Sequence, residues 1–375
     1  MTSTSAEIVI IGGGIAGLSL AAAIGAQRRT ILLEAESSLA YHASSRSGQQ
    51  MQPTYGPAEV RAITTATLEL MPAIENAIGH PILTPRPLIW CELSANSGMN
   101  EMISTVSGLD ECDVDDAVRR LPPLRAARLN RTAIDELSQE VNVAGLLEYY
   151  AGTARAAGVD IIPNARVLSA AKGPSGWAID TESGRFAADV IVDAAGAWAD
   201  SVATACGREA KGLVPYRRTV TIARPTGRSV VPGWPMAADV GGSFYFRADG
   251  EDILASPMED VASEPEDARP DEADIASIVS RINSITDLEL RESTRSWTGL
   301  RTIAADGIPV VGRDPDDPAF YWLAGQGGYG IQTSAALARL AAADLTDTGS
   351  GVGAEADAAF GNLSPARLRA TTNAE

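Results

Sequence analysis

Residues 8–34 read I-V-I-I-G-G-G-I-A-G-L-S-L-A-A-A-I-G-A-Q-R-R-T-I-L-L-E. Ile8–Ile11 form an apolar, largely β-branched run of the kind that makes a buried parallel strand. It leads into Gly12, Gly14 and Gly17 at G-x-G-x-x-G spacing, an apolar helix from about Ile15, and a second strand over Thr30–Leu33 ending on Glu34. Gly12 permits the tight strand-to-helix turn, Gly14 lets backbone approach a pyrophosphate on the helix N-terminus, and Gly17 lets helix pack on strand. Glu34, 22 residues after Gly12, is placed to accept hydrogen bonds from both hydroxyls of an adenosine ribose. Ile15, Ala16 and Ala35 fall beside these positions. The reading is dinucleotide binding. The motif alone does not separate FAD from NAD, but its place near the N-terminus, with cofactor-like sequence returning near the C-terminus, favours FAD.

At 375 residues the chain fits two joined domains, and 45% hydrophobic residues can fill their cores. The net charge of −18 argues against nucleic acid or an anionic membrane surface as partner. No apolar run is long enough to span a membrane, and polar Met1–Glu7 leaves no room for a signal peptide. Three scattered cysteines, Cys91, Cys112 and Cys206, read as reduced thiols of a cytoplasmic protein. With only His42 and His80 as histidines, no metal site and no Ser-His-Asp triad is expected, so the chemistry should belong to a cofactor.

Further along, helices are expected over 57–74, near 99–106 and 114–121, and over 142–157. Strands are expected over 81–84, 88–93, 160–163, 166–172, 177–181, 184–187 and 190–194, followed by a helix over 197–206. A second region, about 212–297, carries strands over 216–224, 243–247, 252–255 and 291–297 and a helix over 274–285. A strand over 320–323 and a helix reaching about Leu345 complete the pattern. Eight of the sixteen residues Glu259–Asp274 are acidic, which reads as a solvated loop, and low-complexity Gly349–Ala359 reads as mobile.

The fingerprint, D-A-A-G-A-W-A (193–199), D-G-I-P-V-V-G (306–312), G-G-Y-G-I-Q (327–332) and L-S-P-A-R (363–367) together resemble the D-amino-acid-oxidase-like FAD family. Within it, Y-G-P-A-E-V-R-A (55–62), H-P-I-L-T-P-R-P (80–87), W-P-M (234–236), S-F-Y (243–245) and W-T-G-L-R (297–301) resemble the D-arginine dehydrogenase subgroup. The resemblance implies an α/β fold: a Rossmann-like FAD domain of the glutathione-reductase type and a substrate domain with a mostly antiparallel sheet. The FAD domain would comprise 1–80, 143–211 and 298–375, and the substrate domain 81–142 and 212–297. Ser45, Arg46, Ser47, Gln49 and Gln50 would line the flavin's polar side, with Val167 flanking the adenine. Ala195, Gly196 and Trp198 would pass near the cofactor. The turn Gly327, Gly328, Tyr329, Gly330 would open a helix whose first residues, Ile331, Gln332 and Thr333, point its positive end at the flavin. Arg218 and Arg301 would clamp the substrate carboxylate, while Tyr55 and Tyr245 would close the pocket over it. Met236, Gly328, Ile331 and Gln332 fall on pocket positions.

Two departures stand out. Gln50 replaces the relative's active-site histidine, and Leu88 replaces the carboxylate that greets a cationic side chain. A guanidinium buried there would be unpaired, so a neutral or apolar side chain is expected. The implied reaction is oxidative deamination of a D-amino acid by hydride transfer from its α-carbon to flavin N5, giving a 2-oxo acid and ammonia. Oxidation of a secondary amine such as an N-alkyl glycine, or of a 2-hydroxy acid, is the alternative. A non-catalytic flavin scaffold fits poorly with Arg218, Tyr245 and Arg301 together. FAD should be held non-covalently, since no cysteine follows Cys206 and His42 precedes the attachment position. Phe244–Pro257 lacks the lysine that sarcosine-type oxidases place near N5, and Arg247 beside the turn should face solvent. A quinone or other acceptor, rather than oxygen, is therefore expected to take the electrons.

Overall fold

The computed structural model describes residues 4–368; the first three residues of the polar N-terminal segment lie outside them. Strand β1 (Thr4–Ile11) runs in parallel between β2 (Thr30–Leu33) and the strand Gly184–Asp193, with Ile10 opposite both Leu32 and Val192. Alternate residues of β1 serve two cores. Ile8 and Ile10 pack with helix α1 (Ile15–Ile24) and helices Ala58–Ile78, Val143–Ala156 and Gly330–Thr346, while Val9 and Ile11 pack with Trp177, Phe320 and Trp322. Burial on both faces is why β1 reads as an unbroken apolar run rather than an alternating one. The sheet has eight strands, completed by Asp160–Ile162, Val167–Gly173, Gly176–Thr181, Val310–Arg313 and Phe320–Ala324.

The turn out of β1 is fixed sterically. Gly12 has φ +111°, and a Cβ there would lie 2.4 Å from the Ala194 carbonyl oxygen. A Cβ on Gly17 would lie 1.9 Å from the Gly12 carbonyl oxygen, so α1 can only seat on β1 with glycine at that position.

A nine-stranded, mostly antiparallel sheet stands against the first. One edge is the long pair Leu290–Ile303 and Val214–Pro225, and the sheet continues from it through Asp252–Ser256, Tyr245–Asp249, Met236–Asp239, Leu88–Glu92, Arg131–Asp135 and Asp110–Cys112. One of its pairs, Met236–Asp239 with Leu88–Glu92, is parallel. One face buries Ile278, Ile282 and Ile285 of helix Glu272–Ile285. The other carries Trp90, Val220, Met236 and Tyr245 toward the functional site, with Leu88 sealed beside Met236. A small sheet of Gln50–Met51, Gln139–Val141 and Leu83–Pro85 links the two.

Several expectations are corrected. The strands expected over 184–187 and 190–194 are one continuous strand, because Ala188 and Val190 both keep their pairing with β1. The stretch over Gly349–Ala359 contains the start of helix Ala354–Gly361, whose Ala356 and Ala359 are buried in the first core. The acidic segment is not a free loop. Val261–Ala262 adds a strand to Val214–Pro225, Asp260 pairs with Arg218, Asp267 pairs with Arg46, and Glu259 accepts from the Thr219 N–H.

Candidate functional site

One elongated cavity runs from β2 past the N-terminus of α1 to the face of the nine-stranded sheet. At the β2 end, Glu34 is buried, and its two carboxylate oxygens accept from the Gly13 N–H (2.7 Å) and the Glu36 N–H (2.7 Å). The carboxylate is thereby fixed at the cavity wall with lone pairs to spare for hydroxyls. The first turn of α1 has no cap from its own N-cap residue, Gly14; Ser44 Oγ accepts from the Ile15 N–H at 2.9 Å instead. The remaining N–H groups of that turn are available to an anion. His42 sits between Trp198 (4.6 Å) and Tyr41 (4.9 Å), with Nε2 3.1 Å from Glu36 and Nδ1 3.9 Å from Asp267. A fixed acid and a glycine-walled helix N-terminus along one trough fit the ribose and pyrophosphate of FAD.

At the other end Arg301 reaches the cavity from strand Leu290–Ile303. Among the described residues no carboxylate pairs with it. Burial opposes its charge, yet Tyr55, Tyr245 and Tyr329 around it outweigh that, and its guanidinium is held even more firmly protonated than usual. The guanidinium lies against Gly328, where a Cβ would come within 3.0 Å of Cζ. Arg218, which is buried, is differently placed. Its Nε donates to the Glu259 carbonyl (3.1 Å), its Nη2 pairs with Asp260, and its Nη1 is buried and unpartnered. Tyr245 Oη stands over Gly48, 3.0 Å from where a Cβ would be, and Tyr55 packs on Tyr329 at 5.3 Å.

The cavity wall brings together Gly12, Gly14, Ile15, Ala16, Glu34, Ala35, Arg46, Ser47, Gln50, Tyr55, Val167, Ala195, Gly196, Trp198, Arg218, Met236, Tyr245, Arg301, Gly327, Gly328, Gly330, Ile331 and Gln332. Others stand back from it. Gly17 packs under the helix, exposed Ser45 turns its hydroxyl to the Tyr41 and His42 carbonyls, and Thr333 bonds the Tyr329 carbonyl. Gln49, at φ +59°, accepts from Arg247. Gln332 reaches the wall, but its amide donates to Thr64 Oγ1 (3.0 Å), which ties two helices together. Leu88 is fully buried beside Met236 and does not line the cavity, so its side chain cannot greet a substrate. Arg247 does not face solvent. It is 1% exposed and holds the Gly48 carbonyl, Gln49 and Glu140, although burial lowers its pKa against the pull of Glu140 and Asp249. Both lysines lie off the cavity, Lys172 on Asp317 and Lys211 on Asp314. Sequence reasoning missed Trp90, whose i+2 spacing from Leu88 on one strand face was the available signal, and Ser44, which sits in the serine-rich segment after β2.

A parallel-sheet dinucleotide site joined to an arginine- and tyrosine-lined sheet face is the architecture of a flavin-dependent oxidoreductase. The family model described as FAD dependent oxidoreductase (DAO) matches residues 7–344, and the chain belongs to that family. It is similar to the glycine oxidase of Geobacillus kaustophilus (strain HTA426), at 22% identity over 364 residues, covering 91% of this chain and 93% of the relative. The crystal structure of glycine oxidase from Geobacillus kaustophilus superposes with TM-score 0.83 at 20% identity, covering 96% of this chain and 98% of that one. The L-proline dehydrogenase from P. horikoshii superposes with TM-score 0.84 at 16% identity, covering 98% of each chain. FAD is the family's cofactor, and oxidation of an amine or amino acid is the activity the family supports. Among the described residues no helix is long and apolar enough to cross a membrane, and no cluster of metal-binding side chains occurs.

Proposed function

We propose that the protein oxidises a neutral D-amino acid to its imino acid, which water then converts to the 2-oxo acid and ammonia. The observation that supports this best is Arg301, a half-buried cation in the cavity with three tyrosines and, among the described residues, no paired carboxylate. An uncompensated guanidinium there is stabilised by a bidentate anion, and an α-carboxylate has the matching planar shape. Arg218 Nη1 offers a further donor, and Tyr55 and Tyr245 hold the same group from the sheet side. FAD, held along Glu34, Gly12–Gly14 and the N-terminus of helix Gly330–Thr346, would supply the acceptor for the hydride, with its two electrons, of the substrate α C–H bond.

Neutrality of the side chain rests on the cavity's acids. Glu34, Glu36 and Glu266 are the carboxylates on its wall, and Glu34 and Glu36 belong to the ribose end while Glu266 pairs with Arg217. A cationic side chain would have no counter-charge beside Tyr245 and Met236. On this reading residues 1–80, 143–211 and 298–375 carry FAD and the remainder carries substrate, with electrons leaving to a quinone or similar acceptor. The names of the similar proteins keep glycine and cyclic secondary amines in view. The test is anaerobic mixing of the flavin-loaded protein with both enantiomers of a panel of amino acids, N-methylglycine and a 2-hydroxy acid. Bleaching by neutral D-amino acids ahead of their L-forms supports the proposal. Bleaching only by N-methylglycine or the hydroxy acid overturns it.

A further inference from the structure

Trp90 is more than nine-tenths buried, lines the cavity, and its indole Nε1 has no hydrogen-bond partner. Strand register places it opposite Ala238, which in turn lies opposite Tyr245. The indole and the phenol thus stand on one sheet face with only a methyl between them. Its other neighbours there, Val220 and Met236, offer no oxygen to an N–H that can only donate. On the same cavity, the amide nitrogen of Gln50 donates to the Arg86 carbonyl (2.9 Å) and to Ser138 Oγ (2.8 Å). Because a carbonyl only accepts, this fixes the orientation of the amide and leaves Oε1 buried and unpartnered. Two residues that line the cavity therefore each hold an unpaired buried group, one a donor and one an acceptor. Behind it, Arg86 and Arg247 both bond Glu140, so neither is free to meet an anionic side chain.

We infer that Trp90 Nε1 sets substrate specificity by donating to a neutral side chain that carries a hydrogen-bond acceptor, with Gln50 Oε1 receiving any N–H or O–H of the same group. A carboxamide or hydroxyl is accepted, and an isosteric alkyl group leaves both protein atoms unpaired. The inference rests on the carboxylate site proposed above, but not on which amine is oxidised. It is therefore tested with carboxylates that lack the amine: succinamate and its isostere 4-methylpentanoate, titrated into flavin-loaded protein and followed by the flavin spectrum. The unaltered protein should bind succinamate more tightly, and Trp90→Phe, with flavin content and circular dichroism unchanged, should shift the affinity ratio toward 4-methylpentanoate by about tenfold. Tighter binding of 4-methylpentanoate by the unaltered protein, an unmoved ratio in Trp90→Phe, or no binding of either acid overturns the inference. The amino-acid panel, read separately, decides the proposed reaction.

Discussion

The two arginines should not be equal, and their difference can be worked out from their partners. Among the described residues Arg301 pairs with no carboxylate, so on the proposed reading Arg301→Met removes the charge that the substrate carboxylate meets. Losing charge-assisted bonds of this kind costs roughly 2–4 kcal/mol, or about 30- to 1000-fold in kcat/KM. Arg218 already spends its Nε on the Glu259 carbonyl and its Nη2 on Asp260, leaving Nη1 for substrate. Asp260, at 65% side-chain exposure, is solvated when Arg218 is removed, whereas the half-buried Glu259 carboxylate loses a nearby positive charge. Arg218→Ala should therefore cost about 10- to 150-fold, the loss of one hydrogen bond to a charged group, toward the lower end of the range for Arg301→Met. The assay is anaerobic flavin reduction over a range of substrate concentrations, with flavin content measured on each variant. An Arg301→Met protein within threefold of the unaltered rate, or a larger loss in Arg218→Ala than in Arg301→Met, would refute the reasoning.

Leu88→Glu should destabilise the protein rather than broaden its specificity, because it buries an unpaired carboxylate beside Met236; a lower Tm without new use of D-arginine is expected, and new D-arginine oxidation at unchanged Tm would contradict this. Asp193 is fully buried, and burial, against the help of the Ala195 N–H, pushes its carboxyl well above the usual range. The folded state thus retains a proton that the unfolded chain releases above about pH 4. Its contribution to stability is present at low pH and falls as pH rises toward the folded value. Asp193→Asn should accordingly raise Tm more at pH 8 than at pH 5, and an equal change at both would refute the assignment. With both lysines held by Asp317 and Asp314 away from the cavity, reduced flavin mixed with air-saturated buffer should reoxidise slowly; reoxidation within milliseconds would mark an oxidase. No cysteine lines the cavity, so acid precipitation should release all the flavin, and colour kept in the pellet would show a covalent bond.

The dinucleotide half of the fold was legible because its constraints are local and steric. Gly17 is dictated by the Gly12 carbonyl five residues before it and Gly12 by its own positive φ, and β1 declares its two-sided burial in its own composition. The nine-stranded sheet was less legible. Met236–Asp239 is M-A-A-D, four residues without strand character, held extended only because Leu88–Glu92 and Tyr245–Asp249 pair on either side. Arg131–Asp135, Gln139–Val141 and Asp110–Cys112 went unread for the same reason. Acid-rich 259–274 reads as solvated from its charge, yet Asp260 and Asp267 are fixed by Arg218 and Arg46, partners dozens to hundreds of residues away that local pattern does not encode. Motif position placed Tyr55, Arg218, Tyr245 and Arg301 around one cavity, but it could not tell that Leu88 points beneath Met236 while Trp90, two residues on, reaches the wall.

The claim at the centre of this account is that Arg301 and Arg218 hold the carboxylate of the molecule being oxidised. It is tested most directly by mixing the flavin-loaded protein anaerobically with a neutral D-amino acid and, separately, with its carboxamide, which keeps the amine and the α C–H bond but lacks the negative charge. The acid should bleach the flavin and the amide should do so at least about 30-fold less efficiently. An amide that reduces the flavin as fast as the acid would contradict the account.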